Sequence, residues 1–230
     1  MPRVIAHRGA SKLERENTLQ AFRTAAQLGS DAVELDVRKT VDDFLVIHHD
    51  PHLPDGRLIR ATRVADLPEH VPSLAAALDA CEGMWVNVEI KNDPSEPDFD
   101  PFDAIADATV AHLVERGAPE RWLISAFRWE VIDRCRALAP EIRTAFLCER
   151  APEGIARKLA VAGHAALHPW FGKVTEELIA ACHAEGVQVN VWTCDDPTWM
   201  VRLAGWHVDG ICTNVPDLAL ATLGRRDDLS

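Results

Sequence analysis

The chain has 230 residues, a length that suits one domain with a well-buried core. Its 36 acidic and 24 basic side chains give a formal net charge of −12, which argues against nucleic acid as a partner because phosphate backbones bind clustered Lys and Arg. Apolar residues make up 47% of the chain, which argues against disorder, yet no run approaches the roughly 20 apolar residues that span a bilayer, so stable membrane insertion is not expected.

The amino terminus and the cysteines indicate the compartment. Residues 1–7 enter a strand-like run directly, without the apolar core of a signal peptide. The six cysteines are widely scattered and form no CxxC pair, which is typical of reduced, packed thiols and not of a disulfide framework or a zinc site. The sequence therefore predicts a cytoplasmic protein, and it carries no signal for an oligomeric state.

Short β-rich runs alternate with helical segments from one end of the chain to the other. The predicted strands are Arg3–His7, Ala32–Val37, Leu45–His48, Trp85–Ile90, Trp122–Ser125, Arg143–Leu147, Ala165–His168, Gln188–Trp192 and Gly210–Thr213. Capping residues predict helices that begin at Asn17 or Thr18, at Asp100, at Thr175 and at Asp196, the first three ending at Gly29, Gly117 and Gly186. No linker divides the chain, which predicts a single domain over residues 1–230 with a frayed tail from Gly224.

The connections between the strands predict the topology. Residues 38–44 are too few to hold a helix, so Ala32–Val37 and Leu45–His48 are expected to form an antiparallel ribbon. The other strands alternate with helices and are expected to be parallel, and eight of them predict an α/β fold of the (β/α)8 TIM-barrel type. In this arrangement the ribbon extends the second strand at the mouth of the barrel. An open doubly wound sheet is the rival, but the chain has no GxGxxG loop.

Two acidic side chains share one face of the second predicted strand. Alternate residues of a strand point to opposite faces, so Glu34 and Asp36 face the barrel interior while Val33 and Leu35 face the helices. Two unpaired carboxylates in an interior are costly, so a positive partner is required between them. A salt bridge to Arg or Lys is one candidate for this partner, and a metal ion is the other.

The next strand repeats the pattern with Asn87, Glu89 and Lys91 on one face. A third carboxylate beside the first two fits a hard divalent cation with oxygen ligands, such as Ca²⁺ or Mg²⁺. Lys91 could instead neutralise the cluster by itself, but one ammonium group against three carboxylates leaves the site strongly negative. The metal site is therefore favoured.

Two histidines and an arginine are predicted at the same mouth. His7 and Arg8 close the first strand, at the end where barrel enzymes hold their active sites. The ribbon ends at His48 and His49, which face opposite ways in an extended chain, and we assign His49 to the site above the acidic pair. Two histidines can act as general acid and general base near neutral pH, and the guanidinium fork of Arg8 suits a phosphate.

The order of these motifs resembles that of the glycerophosphodiester phosphodiesterase family, over nearly the whole chain. Each motif is short, but together they follow the family's order: His7-Arg8-Gly9, Glu16-Asn17-Thr18-Leu19, Glu34-Leu35-Asp36, His49-Asp50-Pro51, Glu89-Ile90-Lys91, Ile124-Ser125-Ala126-Phe127, Val191-Trp192-Thr193 and Asp209 to Pro216. The resemblance implies a barrel that holds one divalent cation, Ca²⁺ or Mg²⁺, through Glu34, Asp36 and Glu89. It also implies His7 and His49 as the acid–base pair, with either one able to act as the base.

The resemblance further implies a small-molecule substrate and the residues that hold it. Arg8 and Lys91 would contact the phosphate, and Phe127 and Trp192 would line the head-group side of the pocket, although Trp192 could equally fill the barrel. The implied reaction is metal-dependent hydrolysis of a glycerophosphodiester to glycerol 3-phosphate and an alcohol. Two other functions stay open: a related phosphodiesterase acting on lysophospholipids or phosphoinositides, and a non-catalytic barrel that binds phosphate esters.

Two positions and one segment depart from the family pattern. Arg15 stands where a proline normally precedes the Glu-Asn-Thr triplet, and Asn214 stands where an aspartate normally follows the last strand. The segment from Pro51 to Pro72 is shorter than the insertion of many relatives, which predicts less of a lid over the site.

Overall fold

Eight parallel strands close into a barrel in the computed structural model, which describes residues 1–225. The strands are β1 (Arg3–His7), β2 (Ala32–Lys39), β3 (Leu45–Ile47), β4 (Trp85–Ile90), β5 (Trp122–Ala126), β6 (Arg143–Cys148), β7 (Ala166–Pro169), β8 (Gln188–Val191) and β9 (Gly210–Thr213). The barrel runs from β1 through β9 and down to β4 and β2, and β2 pairs with β1 to close it. The predicted TIM barrel is confirmed, and each of the nine strands agrees with its predicted bounds to within two residues.

Helices lie between the strands of the barrel. They are α1 (Leu19–Leu28), α2 (Leu74–Ala80), α3 (Ala104–Arg116), α4 (Trp129–Leu138), α5 (Ile155–Ala162), α6 (Glu176–Ala184), α7 (Pro197–Gly205) and α8 (Pro216–Thr222). Thr18, Thr175 and Asp196 cap α1, α6 and α7 as predicted, each side chain accepting a backbone N–H of the first turn. The predicted start of α3 at Asp100 was wrong, since the helix begins at Ala104. The Asp100 carboxylate accepts hydrogen bonds from the backbone N–H groups of Phe102 and Ala104, and these bonds hold a turn before the helix.

The alternation of side chains along β2 is the predicted one. Val33, Leu35 and Val37 are fully buried in the apolar layer between the barrel and its helices. On the inner face, Ile5 and Ala32 pack with other apolar side chains at the bottom of the barrel, which closes it below the polar mouth. The barrel interior is therefore apolar at one end and charged at the other.

The predicted ribbon contains β3, the strand that pairs with β2 outside the closed barrel. β3 pairs antiparallel with the end of β2, with Val37 opposite Ile47, and His48 continues the pairing by donating its backbone N–H to the Asp36 carbonyl at 2.9 Å. This pairing brings the residues after β3 back over the mouth of the barrel.

Three further observations concern the chain as a whole. All six cysteines are free thiols and buried, as expected. No helix in residues 1–225 is both long and apolar enough to cross a bilayer. Arg225 donates a hydrogen bond to Asp31 at 2.7 Å, and the remainder of the tail predicted to fray, residues 226–230, lies outside the described residues.

Candidate active site

Three buried carboxylates meet at the mouth of the barrel. Glu34 and Asp36 lie on β2, and Glu89 lies on β4 directly opposite Asp36 in the strand register. One carboxylate oxygen of each lies within 4.8 Å of the others, a separation that a single ion can bridge. The structure thus brings together the three residues that the strand parity predicted.

Two cations partly neutralise this cluster. Lys91 Nζ lies 3.0 Å from Asp36 Oδ1 and also contacts the Glu89 carboxylate. Arg8 Nε lies 3.2 Å from Asp36 Oδ2. The lysine pairing considered as an alternative to a metal is therefore present, but two cations still leave one of three negative charges without a partner.

The pKa values of Glu34 and Asp36 show which of these two carboxylates is less favourable in its charged form. Burial raises the pKa of Glu34 well above its usual range, and the neighbouring Asp36 and Glu89 carboxylates raise it further. Asp36 behaves oppositely: burial would raise its pKa, but Lys91 and Arg8 hold it below the ordinary value. Glu34 Oε1 is buried without a hydrogen-bond donor, which is the environment of a carboxylate that lacks a cation. This donor set fits a hard divalent cation.

The contribution of Glu34 to the stability of the metal-free protein is expected to fall as the pH rises above 4.5, the ordinary pKa of this group. Above that value the unfolded chain has released its Glu34 proton while the folded protein still holds it, so this contribution to the free energy of unfolding decreases until the raised pKa is passed. A divalent cation needs ionised carboxylates, so its stabilising effect should grow over the same range. Melting temperatures with Mg²⁺ and with chelator, measured from pH 5 to pH 8, check this. A constant gap between the two series contradicts it, and Glu34→Gln serves as the control that lacks the titrating group.

The His7-Arg8-Gly9 turn presents its side chains to this cluster through an unusual backbone. Arg8 has a φ of 56°, and its backbone N–H donates to Glu34 Oε2 at 3.0 Å. Gly9 follows with a φ of +81°, and a Cβ on Gly9 would come within 2.6 Å of the Ala21 backbone, so only glycine fits here. The turn needs its glycine because α1 packs against it. Arg8 also reaches Glu16, with Nη1 3.0 Å from Oε1.

His7 faces the carboxylates with one ring nitrogen and a neighbouring loop with the other. Nε2 lies 3.9 Å from Glu34 Oε2, and Nδ1 lies 2.7 Å from Asn214 Oδ1. Burial lowers the pKa of His7, and the Arg8 guanidinium lowers it further, so the neutral ring is favoured. A neutral imidazole can accept a proton.

His49 and His48 separate as the ribbon parity predicts. His49 lines the same cavity as His7, Glu34 and Glu89, and His48 does not. A second depression, which includes His70, is lined by both histidines. His49 Nδ1 lies 2.6 Å from the Asp50 carboxylate, and a third of the His49 side chain is exposed. The contact with Asp50 therefore orients the His49 ring at the rim of the cavity.

Arg38 contacts this site and was not identified from the sequence. Its side chain is fully buried, and Nε donates to the carbonyl oxygen of His49 at 2.8 Å. The same guanidinium contacts Asp98 at 2.6 Å and Glu96 at 3.0 Å, both in the segment that joins β4 to α3. The arginine thus ties the backbone of His49 to the loop that begins at Lys91. Its partners lie up to 60 residues away, so no local pattern could indicate them.

Arg38→Met is expected to destabilise the protein by about 3 kcal/mol, because it leaves two partly buried carboxylates and a carbonyl without their donor. Urea unfolding of the variant and the parent checks this. Arg57→Met is the matched control, since Arg57 forms an exposed pair with Asp55 whose loss should cost less than about 1 kcal/mol. Equal losses in the two variants would contradict the buried role.

The cavity above the apolar floor has a volume of about 130 Å³. Phe127 and Trp192 line it and contact each other edge to face, with ring centroids 5.6 Å apart. Trp192 Nε1 donates to the carbonyl of His168 at 2.8 Å, which fixes the indole plane. His168, to which the sequence assigned no role, also lines the cavity, and burial lowers its pKa to about 3. The Trp192 ring therefore forms a wall of the cavity.

Cationic side chains and histidines gathered around an acidic cluster at the mouth of a TIM barrel are typical of an enzyme that hydrolyses phosphate esters. Comparison with known proteins agrees. The model of the glycerophosphoryl diester phosphodiesterase family matches residues 7–218, and the chain belongs to this family of phosphoric diester hydrolases.

Individual relatives match over nearly their whole length. A glycerophosphodiester phosphodiesterase of Caldanaerobacter subterraneus subsp. tengcongensis is 28% identical, covering 93% of this chain and 94% of the relative. An Oleispira antarctica phosphodiesterase, solved in complex with the product sn-glycerol-3-phosphate, superposes with a TM-score of 0.85 at 26% identity, covering 97% of each chain. A glycerophosphodiester phosphodiesterase of Agrobacterium tumefaciens superposes with a TM-score of 0.78 at 26% identity, covering 95% of this chain and 99% of the other.

Proposed function

We propose that the protein hydrolyses glycerophosphodiesters to glycerol 3-phosphate and an alcohol, and that it requires one divalent cation, Ca²⁺ or Mg²⁺. The observation that carries the proposal is the three-carboxylate cluster, within 4.8 Å, of which Glu34 and Glu89 line the same cavity as His7 and His49. The glycerol-3-phosphate complex of the Oleispira antarctica relative supports the product. Glu34, Asp36 and Glu89 would hold the cation. When bound, it would draw charge from the phosphate and lower the barrier to attack on phosphorus.

Arg8 and Lys91 bind the phosphate in this proposal. Both already lie against the carboxylates, at 3.2 Å and 3.0 Å from Asp36, so their charged groups are held in place before the substrate arrives. A positively charged group that is fixed in advance stabilises developing negative charge without having to reorganise. The N–H groups of Arg8 and Lys91 that do not face the carboxylates would remain available to donate to the phosphate.

The two histidines divide the proton transfers. His7 is favoured as the neutral ring and acts as the base, taking the proton from the glycerol 2-hydroxyl as that oxygen attacks phosphorus. His49, beside Asp50, acts as the acid and protonates the departing alkoxide. The product of this first step is a cyclic phosphate. Water opens the cyclic phosphate in the second step with the roles reversed: His49 now takes a proton and His7 returns one to the glycerol oxygen.

Aromatic side chains shape the path of the departing alcohol. Phe127 is 39% exposed at the outer rim and contacts Trp192, whose indole is fixed by the His168 carbonyl. The bottom of the barrel is closed by apolar side chains, so the variable head group extends outward past this pair while the three-carbon glycerol stays inside.

Chelation is expected to lower turnover of glycerophosphocholine by at least about 100-fold and to leave the fold intact, because the apolar core does not depend on one ion. Activity should return on addition of Mg²⁺ or Ca²⁺. The assay measures released choline with and without chelator, while far-ultraviolet circular dichroism follows the fold. Full activity in excess chelator, with no metal found by elemental analysis, would remove the cation from the mechanism.

Lysophospholipids are a second candidate substrate class, and one observation favours them. A cavity of about 410 Å³ adjoins the site at Lys91, and the side chains of Val41 and Phe102 line it while being 55% and 79% exposed. Exposed apolar side chains beside a site can receive an acyl chain. Assaying lysophosphatidylcholine beside glycerophosphocholine decides between the classes, and Phe102→Ser should weaken only the lysophospholipid reaction if the acyl chain lies there.

A further inference from the structure

Asn214, the amide that stands where the family pattern has an aspartate, lies between His7 and Asp195. Its Oδ1 lies 2.7 Å from His7 Nδ1, and its Nδ2 donates to Asp195 Oδ2 at 2.7 Å. The backbone N–H of Asn214 donates to the other oxygen, Asp195 Oδ1, at 2.8 Å. Asp195, Asn214 and His7 are therefore linked by successive hydrogen bonds, from the exposed Asp195 to His7, the proposed base.

The orientation of the Asn214 amide is fixed by what surrounds it. Asp195 is a carboxylate and can only accept hydrogen bonds, so the NH₂ group of Asn214 must face it. Ser11 Oγ donates to Asn214 Oδ1 at 3.0 Å, which agrees with the same orientation. Thr213 Oγ1 donates to Asp195 Oδ1 at 2.9 Å and holds the carboxylate in place. The oxygen of the amide therefore points to His7.

An amide oxygen can only accept, so the His7 nitrogen facing it must carry the ring proton. We infer that Asp195 and Asn214 are positioning residues which hold His7 as the Nδ1–H tautomer and leave the Nε2 lone pair facing the substrate cavity. Asp195 acts through Asn214 and touches neither the ring nor the reacting atoms. The amide does this without adding a fourth carboxylate to a site that already holds three.

The inference rests on the proposed role of His7 as the base, because the tautomer of the His7 ring decides which nitrogen can accept a proton. A base must present its lone pair to the proton that it removes, so the opposite tautomer is inactive even when the ring stays in place. Asp195→Asn removes the fixed acceptor, and the Asn214 amide can then rotate and present its NH₂ group to His7 Nδ1. That rotation would move the ring proton to Nε2.

Asp195→Asn is expected to lower kcat on glycerophosphocholine about 100-fold with KM changed less than about threefold, since a wrong tautomer affects proton transfer and leaves the phosphate contacts alone. The ¹⁵N spectrum of the His7 ring at pH 8 should show the Nδ1–H form in the parent and a shift toward Nε2–H in the variant. Asp196→Asn is the matched control: Asp196 is the neighbouring carboxylate, caps α7 and does not contact Asn214, so both readouts should stay at parent values.

The swapped pair Asp195→Asn/Asn214→Asp provides the rescue. In the double variant the carboxylate at 214 accepts from His7 Nδ1 and the amide at 195 donates to it, so the Nδ1–H tautomer should return and kcat should recover to within about tenfold of the parent. A merely structural role for Asp195 predicts no recovery. Nε2–H in the parent spectrum, or a double variant no better than the single one, overturns the inference. The spectrum requires no turnover, so a parent that shows Nδ1–H but hydrolyses no phosphodiester would contradict the proposed function alone.

Discussion

A 2-deoxy analogue of glycerophosphocholine is expected to bind this protein but to turn over about 10⁵-fold more slowly than glycerophosphocholine, or slower still. The proposed mechanism uses the glycerol 2-hydroxyl as the nucleophile, and the analogue lacks it. Losing an oriented intramolecular nucleophile can cost on the order of 7–11 kcal/mol of the barrier when nothing replaces it. Affinity should fall only modestly, because Arg8 and Lys91 still contact the phosphate.

The measurement compares kcat for the two compounds at saturating concentration and determines the affinity of the analogue as a competitive inhibitor. Phosphorus NMR of the glycerophosphocholine reaction should also show a transient cyclic phosphate. Comparable turnover of both compounds, with no cyclic species, would replace internal attack by direct attack of water. The carboxylates, cations and histidines would keep their positions in that case, but His7 would act on water.

His49→Ala is expected to lower kcat by about 10²–10⁴, the usual contribution of a positioned acid or base. His49 lines the cavity with His7, Glu34 and Glu89, and in the proposed mechanism it protonates the departing alkoxide. The loss should be smaller for substrates whose alcohol is a better leaving group, since these need less protonation. Rates with choline and with p-nitrophenol as leaving groups check both expectations.

His48→Ala is the matched control for this substitution. The two histidines are adjacent, but His48 does not line the cavity that holds His7, and its Nδ1 contacts the Asp50 carbonyl at 2.8 Å. Its replacement should change kcat by less than about tenfold. The reverse order of effects would mean that the ribbon pairs one residue out of the register of Val37 with Ile47.

Alternation along single strands was enough to find the core of the candidate site. The period of two put Glu34 and Asp36 on the inner face of β2 and Val33 and Leu35 on the outer one, because an acidic side chain in the helix layer would be buried without a partner. The short connection between β2 and β3 likewise allowed only an antiparallel ribbon. The capping pattern predicted the start of α3 less accurately, because the Asp100 side chain holds a turn and the helix begins only at Ala104.

The residues that orient the predicted ones come from elsewhere in the chain. Arg38 falls in the connection predicted after Ala32–Val37, where no local pattern distinguishes it, but the barrel brings it to the His49 carbonyl and to Asp98, which is 60 residues away. Asn214 is visible in the sequence as a departure from the family pattern, and its partner His7 is 207 residues distant. The sequence by itself determined which side chains face inward, since strand period and burial cost act over a few residues. Closure of the barrel decided which of them meet, because it joins β1 to β9 and sets the mouth loops against one another.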